Sequence, residues 1–181
     1  MTDVDSPAVR LPAHRDALAM GLAMYRNDTP RWLEIFAAAT PARKAQIVRE
    51  LMYVPSTIVS AVALQFGYVV DMDVLYQDAL DRAAQLPDAD DLDVERAAIA
   101  MVKAAGHEDV QTVGALALGT VGETPKLVLR LSQMPAAILE DVRDYLDVIF
   151  DIAEEFESAI AQIDQVIWEL EHPDDEPPEA A

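Results

Sequence analysis

The residue types able to do chemistry are few and scattered. Glu169-Leu170-Glu171-His172 has the E-x-x-H spacing that sets a carboxylate and an imidazole on one helix face, as in carboxylate-bridged di-metal bundles. Such a site needs two of these motifs and two more inward-facing glutamates. This sequence has no second E-x-x-H, and the one it has stands directly before Pro173. It reads as a surface pair. His14 and His107 lie near predicted helix starts, have no partner at ligand spacing, and read as surface or capping residues. The acid-rich run Asp88 to Glu95 invites a calcium-loop reading. An EF-hand loop needs oxygen donors at positions 1, 3 and 5, Gly at 6 and Glu at 12. Counted from Asp88, positions 5, 6 and 12 fall on Leu92, Asp93 and Ile99. Counted from Asp91, positions 6 and 12 fall on Arg96 and Val102. Both frames fail, and a helix-capping acidic loop is expected instead.

The stretch Gly114 to Gly122 resembles a phosphate loop only superficially. No lysine follows the second glycine and no strand precedes the first. A small-residue helix ending at Gly119 is expected there. None of the five serines lies in G-x-S-x-G. Cysteine is absent, so neither thiol chemistry nor a disulfide framework is open to the chain. The six methionines beyond Met1 suit core gap-filling or an adaptable groove. No catalytic, metal-binding or cofactor-binding residue is assigned, and a non-enzymatic role is expected.

Charge is the stronger signal. The 181 residues carry 33 acids and 13 bases, a formal net charge of -20, in a chain that is 52% hydrophobic. That composition builds a globular core and repels phosphate backbones and anionic headgroups. It favours a basic partner. Residues 1–70 hold six acids and seven bases, a net of +1; residues 71–181 hold 27 acids and six bases, a net of -21. This asymmetry lets the near-neutral half dock on the acidic half, within one chain or between copies. The opening residues lack the basic start and apolar core of a secretory signal, and cytoplasmic residence is expected. The longest apolar stretch, Thr57 to Val70, is shorter than the roughly 20 residues that span a bilayer.

The elements that must position these residues read as helices throughout. Thr29-Pro30, Thr40-Pro41 and Thr124-Pro125 each offer a capping hydroxyl followed by a proline suited to the first turn. The spacing predicts helices near 13–26, 30–39, 41–53, 56–66, 72–86, 91–105, 109–118, 125–133 and 136–172. The expected fold is all-α: a bundle of eight or nine mostly short helices packed along one long C-terminal amphipathic helix. Residues 1–12 are expected to be a flexible start, 13–172 one helical domain, and 173–181 a disordered acidic tail.

The long helix carries the candidate site. Ile138, Val142, Tyr145, Ile149, Ile152, Phe156, Ala159, Ile163, Val166 and Leu170 follow steps of three and four, a heptad-like seam. Ile160 and Ile167 belong to a second row beside it. Ile149, Ile152, Phe156, Ile160, Ile163 and Ile167 form the candidate apolar seam. Asp144, Asp147, Asp151, Glu154 and Glu155 form the candidate acidic docking face, with Arg143 the one base nearby.

Two functional readings follow. The first is an interaction protein, acting as adaptor, assembly chaperone or inhibitor of a basic partner through this helix, which also offers a surface for homo-oligomers. The second is a regulator whose residues 1–70 contact nucleic acid through the bases between Arg26 and Arg49, while the C-terminal helix dimerises. One internal similarity stands apart. Leu51, Pro55, Ile58 and Val62 match Leu131, Pro135, Ile138 and Val142 at an offset of 80 residues. In so apolar a composition, coincidence accounts for four identities more readily than duplication does.

Overall fold

The computed structural model describes residues 6–85, 88–107, 111–113, 115 and 125–173. Among them the chain is all-helical, with seven helices of defined extent: α1 (Pro7–Tyr25), α2 (Thr29–Ala38), α3 (Pro41–Gln65), α4 (Met72–Ala83), α5 (Ala89–Gly106), α6 (Pro125–Leu146) and α7 (Ile152–Glu171). They pack as a bundle around α3 and α6.

Three predicted boundaries move, and proline is involved in each. Pro12, Pro55 and Pro135 all lie inside helices. A proline in a helix interior forfeits one hydrogen bond and kinks the backbone, so the sequence reads as a break there. In α3 the neighbouring hydroxyls compensate. Ser56 Oγ donates to the Tyr53 carbonyl, and Thr57 Oγ1 donates to the carbonyls of Tyr53 and Val54. The predicted helices 41–53 and 56–66 are therefore one helix, and 125–133 joins the first part of 136–172. The expected flexible start is helical from Pro7; residues 1–5, the tail beyond Pro173 and most of 109–118 lie outside the described residues. By length and composition alone α3 is apolar enough to cross a membrane, but 61% of its most apolar window is buried in the bundle.

The long C-terminal helix is a correction. The chain leaves helix after Leu146, passes through Asp147 at φ 52° and restarts at Ile152 behind an Asp151 cap. The run 136–172 is thus the second half of α6, a five-residue linker, and α7. The step-of-three-and-four pattern continues across the break because the linker is itself apolar.

The 80-residue similarity, read above as coincidence, recurs in the burial pattern of the described residues. Val128, Leu131, Ser132, Met134, Pro135, Ile138, Leu139 and Val142 are buried on α6, and each residue 80 positions earlier on α3 is also buried. Ala98, Ile99, Met101 and Val102 of α5 repeat the buried Ala17, Leu18, Met20 and Gly21 of α1 at an offset of 81. Buried Val113 falls at the same offset from buried Trp32. Fully buried Tyr76 and Phe156 are equivalent, as are the capping residues Asp71 and Asp151.

Contacts follow the same order. α1 packs on α3 as α5 packs on α6, α1 on α6 as α3 on α5, and α3 meets α6 at the centre. The fourth helices are exchanged: α7 lies on α1, and α4 lies on α5. Among the described helices this is the contact pattern of an approximate twofold relating the two halves of the chain. Proximity explains the exchange in one half, since only a short connector separates α4 from α5.

One equivalent crossing is latched with opposite charges. On α3, Glu50 is 2% exposed and accepts from Arg10 Nε at 3.1 Å, with His14 Nδ1 at 3.0 Å. Burial pushes its carboxyl upward, but the hydrogen bonds from His14 and Arg10 outweigh that and hold it below the ordinary value. On α6 the equivalent residue is Arg130, which donates to Glu95 of α5 through Nη2 at 2.6 Å and also through Nε. Glu95 stands where His14 stands, at the offset of 81.

Candidate functional site: an acid-rimmed apolar face at the two linkers

The two linkers, 66–71 and 147–151, are built alike. Each helix ends with a residue at positive φ, Gly67 at 74° and Asp147 at 52°. Glycine takes this conformation without cost, and aspartate is among the few other residues that adopt it. The next N–H closes back onto the helix, Tyr68 to the Ala63 carbonyl at 2.9 Å and Val148 to the Arg143 carbonyl at 3.3 Å. That is the six-to-one bond of a Schellman ending. Each linker then runs into an aspartate that caps the next helix. Asp71 accepts from Asp73 N at 3.0 Å, and Asp151 accepts from Ala153 N at 2.8 Å.

This geometry throws an apolar residue outward from each linker. Val69 is 95% exposed and Ile149, its equivalent, 96%. Val70 and Phe150 turn back and pack against the core. The rings of Phe66 and Phe150 lie 6.1 Å apart, which sets the two linkers side by side. Leu64, Tyr68 and Tyr145 are exposed in the same segments. Single exposed apolar residues are ordinary, and it is their number on these two adjoining segments that sets the linkers apart.

The rim is acidic. Segments 64–75 and 144–155 contain Asp71, Asp73, Asp144, Asp147, Asp151, Glu154 and Glu155, and no lysine or arginine. Asp73 is met by Lys103 Nζ at 2.9 Å and His107 Nε2 at 3.4 Å. The hydrogen bond from Lys103 is the main cause of its lowered pKa. Arg143 reaches Asp144 only at 3.9 Å.

The predicted site residues divide between this face and the core. Asp144 lies on the last turn of α6, Asp147 in the turn, and Asp151 at the cap of α7. Glu154 and Glu155 occupy the first turn of α7, where carboxylates are favoured by the helix dipole. The seam is not one surface. Ile149 is a solvent-facing tip, while Ile152 and Phe156 are fully buried. Ile160 and Ile163 are half-buried against the core, and Ile167 is half-buried further along α7.

Part of the acidic charge is met internally, between the two halves. Arg15 pairs with Asp164 and Arg26 with Glu157, each at 2.5 Å, and Gln65 donates to Glu155 at 3.2 Å.

The residues tested for chemistry take structural positions. Asp88 caps α5 by accepting from Asp90 N. His172 lies at the exposed end of α7, stacked on Trp168. Among the described residues no group of three His, Asp or Glu is placed to hold a metal. The Gly114–Gly122 stretch lies mostly outside the described residues. Leu64, Phe66, Tyr68 and Val69 carry no motif of their own in the sequence. Gly67 and the offset of 80, followed one turn further, are the signals that lead to them. No protein-family model matches this chain, and no curated protein or solved structure shows significant similarity to it.

Proposed function

We propose that this chain is a non-enzymatic interaction protein, an adaptor, assembly chaperone or inhibitor, that docks a basic partner on the linker face. The observation that carries this reading is the pair of outward apolar tips, Val69 and Ile149, set among seven acids with no base in the same segments. The complementary partner presents an apolar cluster ringed by lysine or arginine. Charge sets the encounter rate and orientation, and burial of the tips supplies affinity. A second copy of the chain is a poor fit, because its own acidic rim repels this one. A homo-oligomer through α7 would use its far end, where Val166 and Leu170 are exposed, since Ile152 and Phe156 already lie in the core.

The nucleic-acid reading finds no support in the disposition of the bases. Arg10, Arg15, Arg26, Arg31 and Arg43 are all engaged by carboxylates of the same chain, and Lys44 sits over the Phe36 ring.

Affinity capture from source lysate tests the proposal, using wild type beside a Val69→Asp/Ile149→Asp double variant. The expected result is capture of a basic protein that the double variant no longer retains and that about 0.5 M salt weakens strongly. Equal capture by the two proteins, or capture indifferent to salt, contradicts it.

A further inference from the structure

The two halves differ most at one equivalent place. A cleft of about 650 Å³ opens between α4, α5 and α6, with Ala79, Ala83, Val94, Leu129 and Ile138 among its apolar walls. Its counterpart between α7, α1 and α3 is lined by the equivalent Ala159, Ile163 and Ile58, but holds only about 210 Å³. The difference tracks helix length. α4 ends at Ala83, whose equivalent on α7 is Ile163, and α7 continues to Glu171. The chain leaving α4 must turn back into α5 at Ala89, so α4 cannot run on. The pairs Arg26–Glu157 and Arg15–Asp164 set α7 antiparallel to α1. In that register α7 continues past Asp164 toward the start of α1, where Ala13 is fully buried. The equivalent of Ala13 is Val94, which is only half-buried and lines the open cleft.

Charge points the same way. Arg15 pairs with Asp164 of α7. Its equivalent at the offset of 81 is Arg96, which is exposed and has no ion-pair partner among the described residues. The cations that line the cleft are already held: Arg130 by Glu95, Arg82 by Asp141 and Lys126 by Asp91.

We propose that this cleft takes an amphipathic helix from a partner protein, seated as the end of α7 is seated on α1. Its apolar residues, at three- and four-residue spacing, fill the space between α4 and the α5–α6 pair. An acidic residue beside them pairs with Arg96, as Asp164 pairs with Arg15. The site is separate from the linker face and rests on Arg96 and the cleft walls, so it does not depend on the linker reading.

The α7 segment is itself a suitable probe. A labelled synthetic peptide of residues 152–171 is titrated into the full chain and followed by fluorescence polarisation. Saturable binding is expected, weakened about fivefold or more by Arg96→Glu. A peptide carrying Asp164→Arg is expected to lose affinity for wild type and regain it on the Arg96→Glu protein. No saturable binding, equal affinity for Arg96→Glu, or cross-linking of the peptide to α1 in place of α5 overturns the proposal.

Discussion

Ile149 and Phe156 sit seven residues apart in what the sequence presents as a single apolar seam, and the structure assigns them opposite energetic roles. Ile149 is 96% exposed. Full burial of such a side chain is worth up to about 3 kcal/mol, so the small fraction covered here contributes on the order of 0.1 kcal/mol. Ile149→Asp should therefore change stability by less than about 0.5 kcal/mol. Phe156 is fully buried, and its ring lies directly against Gly21 of α1. Phe156→Ala removes that burial and leaves a cavity which two rigid helices close only in part, at a cost of about 3–5 kcal/mol. Urea unfolding followed by circular dichroism reads both, with the slope checked for constancy. A continuous helix predicts comparable losses at the two positions. A cost above about 1 kcal/mol for Ile149→Asp, or below that for Phe156→Ala, refutes the break and the packing built on it.

Three more predictions rest on the equivalent positions. Tyr76 is buried with no hydrogen-bond partner for its hydroxyl, and burial, then the charge of Asp73, pushes its pKa up to about 12. Tyr76→Phe, which installs the residue found at 156, should be neutral or stabilising by up to about 1 kcal/mol in a thermal melt, and a clear loss would show that the hydroxyl has a partner. A Cβ on Gly21 would lie 2.8 Å from Phe156 Cε1. Gly21→Ala gains about 1 kcal/mol of helix propensity and pays about 1–3 kcal/mol of overpacking, so a net loss is expected, recovered in Gly21→Ala/Phe156→Leu; a stabilised single variant contradicts the close approach. Glu50 has a lowered pKa in the folded state. Its stabilisation is present above the unfolded value near 4.5 and is lost as pH falls through the folded value. Glu50→Gln should cost about 1.5–3 kcal/mol at neutral pH. The gap from wild type should start to close as pH falls below the unfolded value near 4.5 and vanish below the folded one; a gap independent of pH means the charge is not what matters.

Much of the fold was legible in the sequence. Thr40 caps α3 as its position before Pro41 implies, and the acid loop at Asp88 caps α5. At α2 the cap falls one residue early, on Asp28, because its carboxylate reaches Arg31 N first. The errors share one cause, which is that local signals report local preference. Pro55 and Pro135 read as breaks, yet each lies buried between packed helices whose contacts outweigh one lost hydrogen bond. Asp147 carries no turn signature comparable to Gly67, so the end of α6 was hidden inside a run of apolar spacing. The candidate face was half legible. Asp144, Asp147, Asp151 and Ile149 belong to the linker face, but Val69 and its neighbours become visible only when the two halves are laid over each other. That comparison needed the buried positions, because few identities survive between the halves: Met52 faces the core where Ser132 does, and Glu50 stands where Arg130 stands. The cleft beside Arg96 had no sequence signal, since it arises from where α4 stops.

Proton–nitrogen correlation spectra of labelled protein, titrated with the captured partner, test the docking face most directly. The account predicts that shifts concentrate in both linkers at once, over residues 64–71 and 144–151, and vanish in the Val69→Asp/Ile149→Asp variant. Shifts confined to the outer face of α7, with both linkers silent, would contradict it.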